Sequence, residues 1–353
     1  MGELNRTIAS KPAALRKALI VTGLLAMALI FLVGAAFVYI AYNLTPVSTD
    51  KQAAKVWIDI PKGASTAQIG QKLAQAHLIR NQQVFTLYVR YYQLGGKLQS
   101  GSYSLSPAEN LSAIVSDIYR GPLTVRVTIP EGYSTEQIAD LLVREKLVDK
   151  DKFFAAVRSG SFGYDFLNGL PATNSRLEGY LFPATYKITP GISETEIIKL
   201  MLARFAQEYT PQVRQAIAAK SWTVEKWVTL ASIVEKEAQQ REDRPIVAGI
   251  FVKRLRQGMP LQSDATIQYI FGFSKAKLYV KDLQVKSPYN SYLNKGLPPG
   301  PIANPGRSSL LAAAFPAQSD YLYFVTKPDG SEAYAKTFPE HQQNVAKYLG
   351  PAH

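Results

Sequence analysis

The sequence predicts an α+β protein with a single N-terminal transmembrane helix, a duplicated small βααβα unit and a mixed α/β domain after it. Three observations predict this. Residues 18–43 contain no charged side chain. The run Ile60-Pro61-Lys62-Gly63-Ala64-Ser65-Thr66-Ala67-Gln68-Ile69 reappears as Ile129-Pro130-Glu131-Gly132-Tyr133-Ser134-Thr135-Glu136-Gln137-Ile138. Residues 224–255 carry two apolar runs of helical spacing with a polar break between them.

The apolar run comes first. It is rich in Leu, Ile, Val, Ala and Phe and long enough to span a bilayer. Arg6, Lys11, Arg16 and Lys17 precede it against one acid, Glu3. The excess of basic residues places 1–17 in the cytoplasm as a tail, 18–43 in the membrane and the chain after about residue 45 outside. A cleaved signal peptide is the alternative. The apolar core is long for one, and no small-x-small site closes it.

Of the 353 residues, 40 are Lys or Arg and 27 Asp or Glu, a net charge of +13, most of it beyond the tail. A basic exterior suits anionic partners such as cell-wall polymers or lipid head groups, although solubility alone explains it equally well. No basic cluster interleaves with aromatics, so nucleic acid is not an expected partner. There is no cysteine, which excludes disulfides, thiolate metal sites and a cysteine nucleophile. With only His77, His341 and His353 present, no metal or other cofactor is expected, and a Ser-His-Asp triad could draw on those three alone.

In each repeat a β-rich run, residues 56–60 and 125–129, meets a Pro-x-Gly turn, and Ser65 or Ser134 is placed to cap a helix. Each copy continues through an aromatic helix start, Val84-Phe85 and Phe153-Phe154. Each then reaches Tyr103-Ser104-Leu105-Ser106-Pro107 or Tyr186-Lys187-Ile188-Thr189-Pro190, followed by a last helix. The boundaries are 50–122 and 123–210. The starts lie 69 residues apart and the closing tyrosines 83, so the second copy holds about 14 extra residues. These include Arg176-Leu177-Glu178-Gly179-Tyr180-Leu181-Phe182-Pro183. A repeat that departs from its twin in one segment has either drifted or gained a job there. Small units of this kind outside the cell often bind glycans, as LysM modules do, an analogy at the level of fold.

The third region is 211–353. Its first helix ends Leu230-Ala231-Ser232-Ile233-Val234-Glu235-Lys236-Glu237. With Val224, Trp227 and Val228, its apolar residues cover nearly every face, so it is expected to be buried. A carboxylate there must be paired, hydrogen-bonded or protonated. A protonated acid near neutral pH can act as a general acid. Glu237 shares a face with Leu230, Ile233 and Val234, while Glu235 points toward Val228 and Ala231. One of the two faces any given cleft, and both faces are apolar, so geometry does not choose. A frayed end in water is the plain alternative. Asp243 and Pro245 suit the start of the next helix, which stops at Gly258. The following turns mix amides, hydroxyls and tyrosines with few acids, a surface fit for sugar hydroxyls or an ordinary proline-rich cover. A β-run at 321–326, a Pro328-Asp329-Gly330 turn, a return strand and a short helix close the chain.

These residues resemble the YceG-like family, the endolytic murein transglycosylases. Carrying the resemblance, in order, are Leu177-Glu178-Gly179-Tyr180-Leu181-Phe182-Pro183, Ala231-Ser232-Ile233-Val234-Glu235-Lys236-Glu237 and Leu261-Gln262-Ser263-Asp264-x-Thr266. Ser287-Pro288-Tyr289-Asn290-x-Tyr292, Gly296-Leu297-Pro298-Pro299-Gly300-Pro301-Ile302, Asn304-Pro305-Gly306 and Tyr321-Leu322-Tyr323-Phe324-Val325 complete it. Ala265 stands where the family usually has proline, which is expected to soften the turn and remove no chemistry. The resemblance implies an inner-membrane anchor, a LysM-like subdomain and a periplasmic catalytic domain acting on peptidoglycan strands, with peptidoglycan synthases as candidate partners. It implies Glu237 as the catalytic acid. The implied reaction cleaves the β-1,4 bond between N-acetylmuramic acid and N-acetylglucosamine in nascent strands and leaves a 1,6-anhydro-muramyl end. Gln262, Asp264, Tyr289 and Asn290 are the expected sugar-orienting residues, with Glu178 as a further candidate.

Three other readings stand beside it. One is a non-catalytic glycan-binding or divisome scaffold protein. Another is a hydrolase pairing Glu237 with Asp264 or Glu178. The third is a serine acyl-enzyme on Ser274-Lys275-Ala276-Lys277, for which neither Lys-Thr-Gly nor Ser-Asp-Asn is present.

Overall fold

The computed structural model describes residues 11–272, 275 and 278–350. The start of the expected cytoplasmic tail, His353 and three residues of the Ser274–Lys277 motif lie outside them. The chain is mixed α/β and divides into two compact units, Met1–Leu123 and Thr124–His353.

The first unit opens with helix α1, Lys11–Leu44. Its Lys17–Leu44 portion has a mean hydropathy of 2.6 and is long and apolar enough to cross a membrane. β1 (Val56–Ile60), α2 (Thr66–Gln75), α3 (Gln82–Tyr91), β2 (Gly101–Leu105) and α4 (Leu111–Arg120) follow. β1 and β2 pair antiparallel, Ile58 opposite Tyr103. Ile60, Leu73, Phe85, Leu105, Ile114 and Ile118 form this unit's core.

The second unit starts with the same order of elements. β3 (Val125–Thr128), α5 (Thr135–Arg144), α6 (Lys150–Ser159), β4 (Thr185–Ile188) and α7 (Glu194–Glu208) appear in turn, with a short 3-10 turn at Asp165–Leu167. The local devices match closely. Gly63 and Gly132 take positive φ of 80° and 76°, where a side chain would be strained. Ser65 and Ser134 each form a full capping box, with Gln68 and Gln137 reaching back. Tyr103 and Tyr186 each donate a phenol hydrogen bond to the carbonyl four residues earlier, Gln99 and Phe182, at 2.8 and 2.5 Å.

The end of the second copy's extra segment, from Leu177 to Phe182, is no surface loop. Leu177, Tyr180 and Leu181 are fully enclosed, and Glu178 and Phe182 nearly so. Tyr180 stacks on Phe166 and meets Phe205 edge-on. Gly179 has φ +87°, and a Cβ there would come within 2.5 Å of Val228 and 2.7 Å of Pro301.

Helices α8 (Pro211–Ala218), α9 (Val224–Glu237), α10 (Arg244–Arg256), α11 (Asp264–Phe271) and α12 (Arg307–Ala314) follow. The hairpin β5 (Tyr323–Thr326) and β6 (Glu332–Ala335) and the last helix α13 (Phe338–Leu349) end the unit. α9 is buried throughout Trp227–Val234, as its all-round apolar pattern predicts. The Trp227 indole donates to the Leu310 carbonyl at 2.8 Å. One core runs without a break from Val127 in β3 to Ala314 in α12. The Asp243 expectation needs correcting. Asp243 precedes α10 but makes no side-chain cap. Its carboxylate instead accepts from the Tyr334 hydroxyl at 2.6 Å and the Glu332 amide at 3.1 Å, tying the C-terminal hairpin down.

Gly179→Ala combines a left-handed backbone with overpacking, so it should lower stability by at least ~1–3 kcal/mol. Urea denaturation of the variant beside Gly63→Ala checks this. At Gly63 a Cβ meets open space, so only the backbone penalty applies there.

Candidate active site

α9 ends on two carboxylates with different fates. The Glu235 side chain is only 5% exposed, and Arg244 at the start of α10 grips it at 2.9 and 3.3 Å. The Gly306 amide adds a third donor at 2.9 Å. Arg244 also lies 3.5 Å from Glu131, in the turn of the second repeat. Glu235 is therefore a paired, fully hydrogen-bonded structural charge.

Glu237 is the last residue of α9 and is partly buried. No cation hydrogen-bonds it among the described contacts. It accepts from the Ser263 hydroxyl in a short bond and from the Ala265 amide at 3.5 Å. Ser263 precedes α11 without capping it, because its hydroxyl points to Glu237 instead. Glu237 thus takes the capping position at the positive end of α11 while standing on the negative end of α9. Desolvation is the largest influence and pushes its carboxyl above the ordinary range. The Ser263 hydroxyl pulls it back, the Asp264 charge raises it, and the Ala265 amide and Arg254 lower it. The net direction is upward, toward an acid that keeps its proton.

Buttresses hold this arrangement. Arg254 in α10 donates to the carbonyls of Leu261 and Leu322, both at 2.7 Å. Thr266 donates to the Ser263 carbonyl at 2.7 Å and shares a hydrogen bond with Ser291 at 2.9 Å. Ser291 accepts from the Ser263 amide at 2.9 Å. Gln262, between Leu261 and Ser263, has φ +51° and an exposed side chain.

The six expected residues fall into three sets. Glu237, Asp264 and Gln262 come together around Ser263, with exposed Asp264 accepting from the Tyr292 hydroxyl at 2.5 Å. Glu178 forms a second centre with Tyr289. It is 3% exposed and accepts from the Thr135 amide at 3.0 and 3.2 Å and from Asn304 at 3.0 Å. Burial pushes its carboxyl up to about 8 against those donors. The Tyr269 phenol, raised first by burial and then by the Glu178 charge, packs 5.1 Å from the ring of Tyr289. Asn290 stands apart from both. Its fully buried amide donates to the carbonyls of Leu283 and Val285 at 2.9 and 2.8 Å, and its oxygen accepts from the Tyr292 amide at 2.9 Å. That leaves Asn290 the work of shaping the loop that presents Tyr289 and Tyr292.

Sequence reasoning missed Ser263, Tyr292, Arg254, Arg244 and Glu332. Ser263 and Tyr292 lie inside motifs already singled out. Glu332 gives no sequence signal. It is 5% exposed, bonded through one oxygen to the Thr326 hydroxyl at 2.9 Å, and its other oxygen has no hydrogen bond. Burial raises it to about 7, and the charges of Asp243 and Glu237 add to this. Among the described residues no group of His, Cys, Asp or Glu could hold a metal ion.

Fold and site together define a mixed α/β protein with a membrane-length first helix and, beside exposed polar groups, an acid with a raised pKa and no hydrogen-bonded cation among the described residues. The YceG-like family model matches residues 58–347, and the chain belongs to the YceG-like family. A Bacillus subtilis relative named endolytic murein transglycosylase is 36% identical over 331 residues, covering 90% of this chain and 91% of that one. A Streptococcus pneumoniae protein of the same name is 32% identical over 340 residues, 88% of this chain, and the chain spans 61% of its length. The 2.6 Å crystal structure of a YceG-like protein from Listeria monocytogenes is 36% identical. It matches with a TM-score of 0.56 over 83% of this chain and all of that one.

Removing one partner of a buried ion pair costs about 3–5 kcal/mol. Arg244→Met should therefore cost about that much. Glu235→Gln combined with Arg244→Met should cost less than the two single losses added together, because neither charge is then stranded. Urea midpoints of the two singles and the double check this cycle.

Proposed function

We propose that the chain is a peptidoglycan lytic transglycosylase that cuts nascent glycan strands from within, with Glu237 as the sole acid and base. The observation that carries the residue assignment is the contrast at the end of α9. Glu235 is paired to an arginine, and Glu237 is bonded only to neutral donors. The curated relatives' names and the family supply the reaction class.

Glu237 gives its proton to the glycosidic oxygen as the bond to muramyl C1 breaks. The ring passes through an oxocarbenium-like state. The resulting carboxylate takes the proton of the C6 hydroxyl, whose oxygen bonds C1 and closes the 1,6-anhydro ring. No water is consumed, and Glu237 ends protonated as it began. One carboxyl suffices because donor and acceptor act in turn on the same face. Ser263 orients the acid. Gln262 and Asp264, exposed on either side of it, hold sugar hydroxyls, with Tyr292 fixing Asp264. Tyr289 offers a ring, and Asn290 and Glu178 support from behind.

In this reading 1–17 is a cytoplasmic tail, 18–43 the membrane anchor and 50–122 a LysM-like unit. Residues 123–210 form a second such unit whose extra segment braces the cleft, and 211–353 form the catalytic domain. The protein sits in the inner membrane with its catalytic part on the periplasmic side, near peptidoglycan synthases.

Glu237→Gln should abolish anhydro-end formation on purified glycan strands while glycan binding persists. Mass spectrometry of the products checks it. Retained activity rules out Glu237, and products heavier by one water indicate hydrolysis instead. The acid must be protonated at the start, so activity should be full below the raised Glu237 pKa and fall as pH rises through it. Ala265→Pro deletes an amide that lowers that pKa. The falling limb of its pH–rate profile should move to higher pH.

A further inference from the structure

We propose that the first unit lies side-on against the outer surface of the bilayer, contacting lipid through the α3 face that carries Leu87 and Tyr91. This rests on the reading of α1 as a membrane anchor and adds a second, lateral membrane contact to it.

Depth comes from the helix. The 28 residues of Lys17–Leu44 rise about 42 Å at 1.5 Å each, more than the roughly 30 Å hydrocarbon thickness. About 20 residues counted from Ala18 fill that thickness. The outer boundary then falls near Val38. Tyr39 and Tyr42 come next, in the zone where tyrosine is enriched.

α3 is fastened at this depth. Ala36, Tyr39 and Ile40 of α1 line an open groove of about 550 Å³ together with Asn81, Gln83, Val84 and Leu87. Asn81 donates to the Tyr39 hydroxyl at 3.1 Å. Arg80 donates to the Tyr42 hydroxyl at 3.0 Å and stacks on that ring at 4.5 Å. It also donates to the Pro46 carbonyl at 2.5 Å. Ile40 and Leu44 pack onto the unit's core. The unit therefore does not hang on a free tether.

The face beyond this joint is uncovered and carries Leu87 and Tyr91, with Gln83 exposed one turn before them. Leu87 is 50% exposed, and Tyr91, four residues on and on the same helix face, is 77% exposed. Tyr92 is 55% exposed, with its ring edge-on to Tyr91 at 5.0 Å. α3 holds no acid, and Arg90 is exposed on it. The occupant is lipid because Leu87 lines the same open groove as Ala36 and Tyr39 of α1, both exposed at the level of the outer boundary. Tyrosine rings can sit among the acyl ends and carbonyls there with their hydroxyls toward water, and Arg90 can meet head-group phosphates.

The chain has no cysteine, so single cysteines can be placed cleanly. Nitroxides at positions 87 and 91 would be compared with ones at Phe31 and at Lys62, an exposed residue in the turn after β1. The full chain would be in lipid nanodiscs, with relaxation by oxygen set against a water-soluble nickel chelate. Positions 31, 87 and 91 should favour oxygen and lose most of their chelate relaxation relative to 62. Chelate access at 87 and 91 equal to that at 62, with 31 still in the bilayer, overturns the lateral contact alone. Shielding of 87 and 91 from both reagents, the mark of a protein partner or a second copy, also overturns it. Chelate access at 31 overturns the anchor reading and this contact together.

Discussion

The buried pair of Glu235 and Arg244 is the constraint on which the site depends. Two charges with almost no access to water are costly, and only good geometry with every lone pair engaged offsets that cost. Here the arginine takes both oxygens of Glu235, the Gly306 amide takes a further bond, and Glu131 approaches the guanidinium from the second repeat. One cluster thereby fixes the end of α9, the start of α10, the chain ahead of α12 and the repeat's first turn. A Cβ on Gly306 would push the Glu131 carboxylate, the end of a flexible side chain, away from this approach. Arg244 is thus committed to Glu235, while Glu237 two residues later has no hydrogen-bonded cation among the described residues.

Asn304 performs a parallel task with neutral groups. Its side chain accepts from the Leu181 amide at 2.8 Å and donates to the Tyr133 carbonyl and Glu178, each at 3.0 Å. Its backbone exchanges hydrogen bonds with Gly132 and Tyr133. This amide stitches the repeat's turn, its extra segment and the Pro-rich run into one wall. The segment around Gly179 and Leu181, which the first copy lacks, is part of the surface against which α9 and residues 301–304 pack. The same extra segment gave Glu178 a carboxylate's identity but a structural address.

Much of this was legible from the chain because the signals are local. Pro-x-Gly turns, the Ser65 and Ser134 caps and the all-round apolar pattern of α9 each depend on residues within a few positions. What stayed hidden depends on partners far away in sequence. Helical geometry could place Glu235 and Glu237 on different faces, yet the choice between them needed Arg244, Gly306 and Ser263. Asn290 read as a polar group for a sugar, and only its three bonds to the loop backbone show its donors and acceptor already engaged. Asp243 read as a helix cap, and the hairpin some 90 residues later claimed its carboxylate.

The surroundings of Ala265 show how closely the acid is poised. Glu237 stands on the negative end of α9, which favours its protonated form, and at the positive end of α11, which favours the anion. Burial tips the balance toward the proton, with Asp264 adding to it. Glu332 is itself a buried acid that interacts with Glu237, so ionising both is costlier than ionising either. Against these stand one hydroxyl, one distant arginine and the Ala265 amide. A proline at 265 cannot donate that hydrogen bond. Alanine at 265 therefore does more than set the stiffness of the turn: its amide reaches Glu237, and in the proposed reaction that donor would ease the step in which Glu237 becomes an anion.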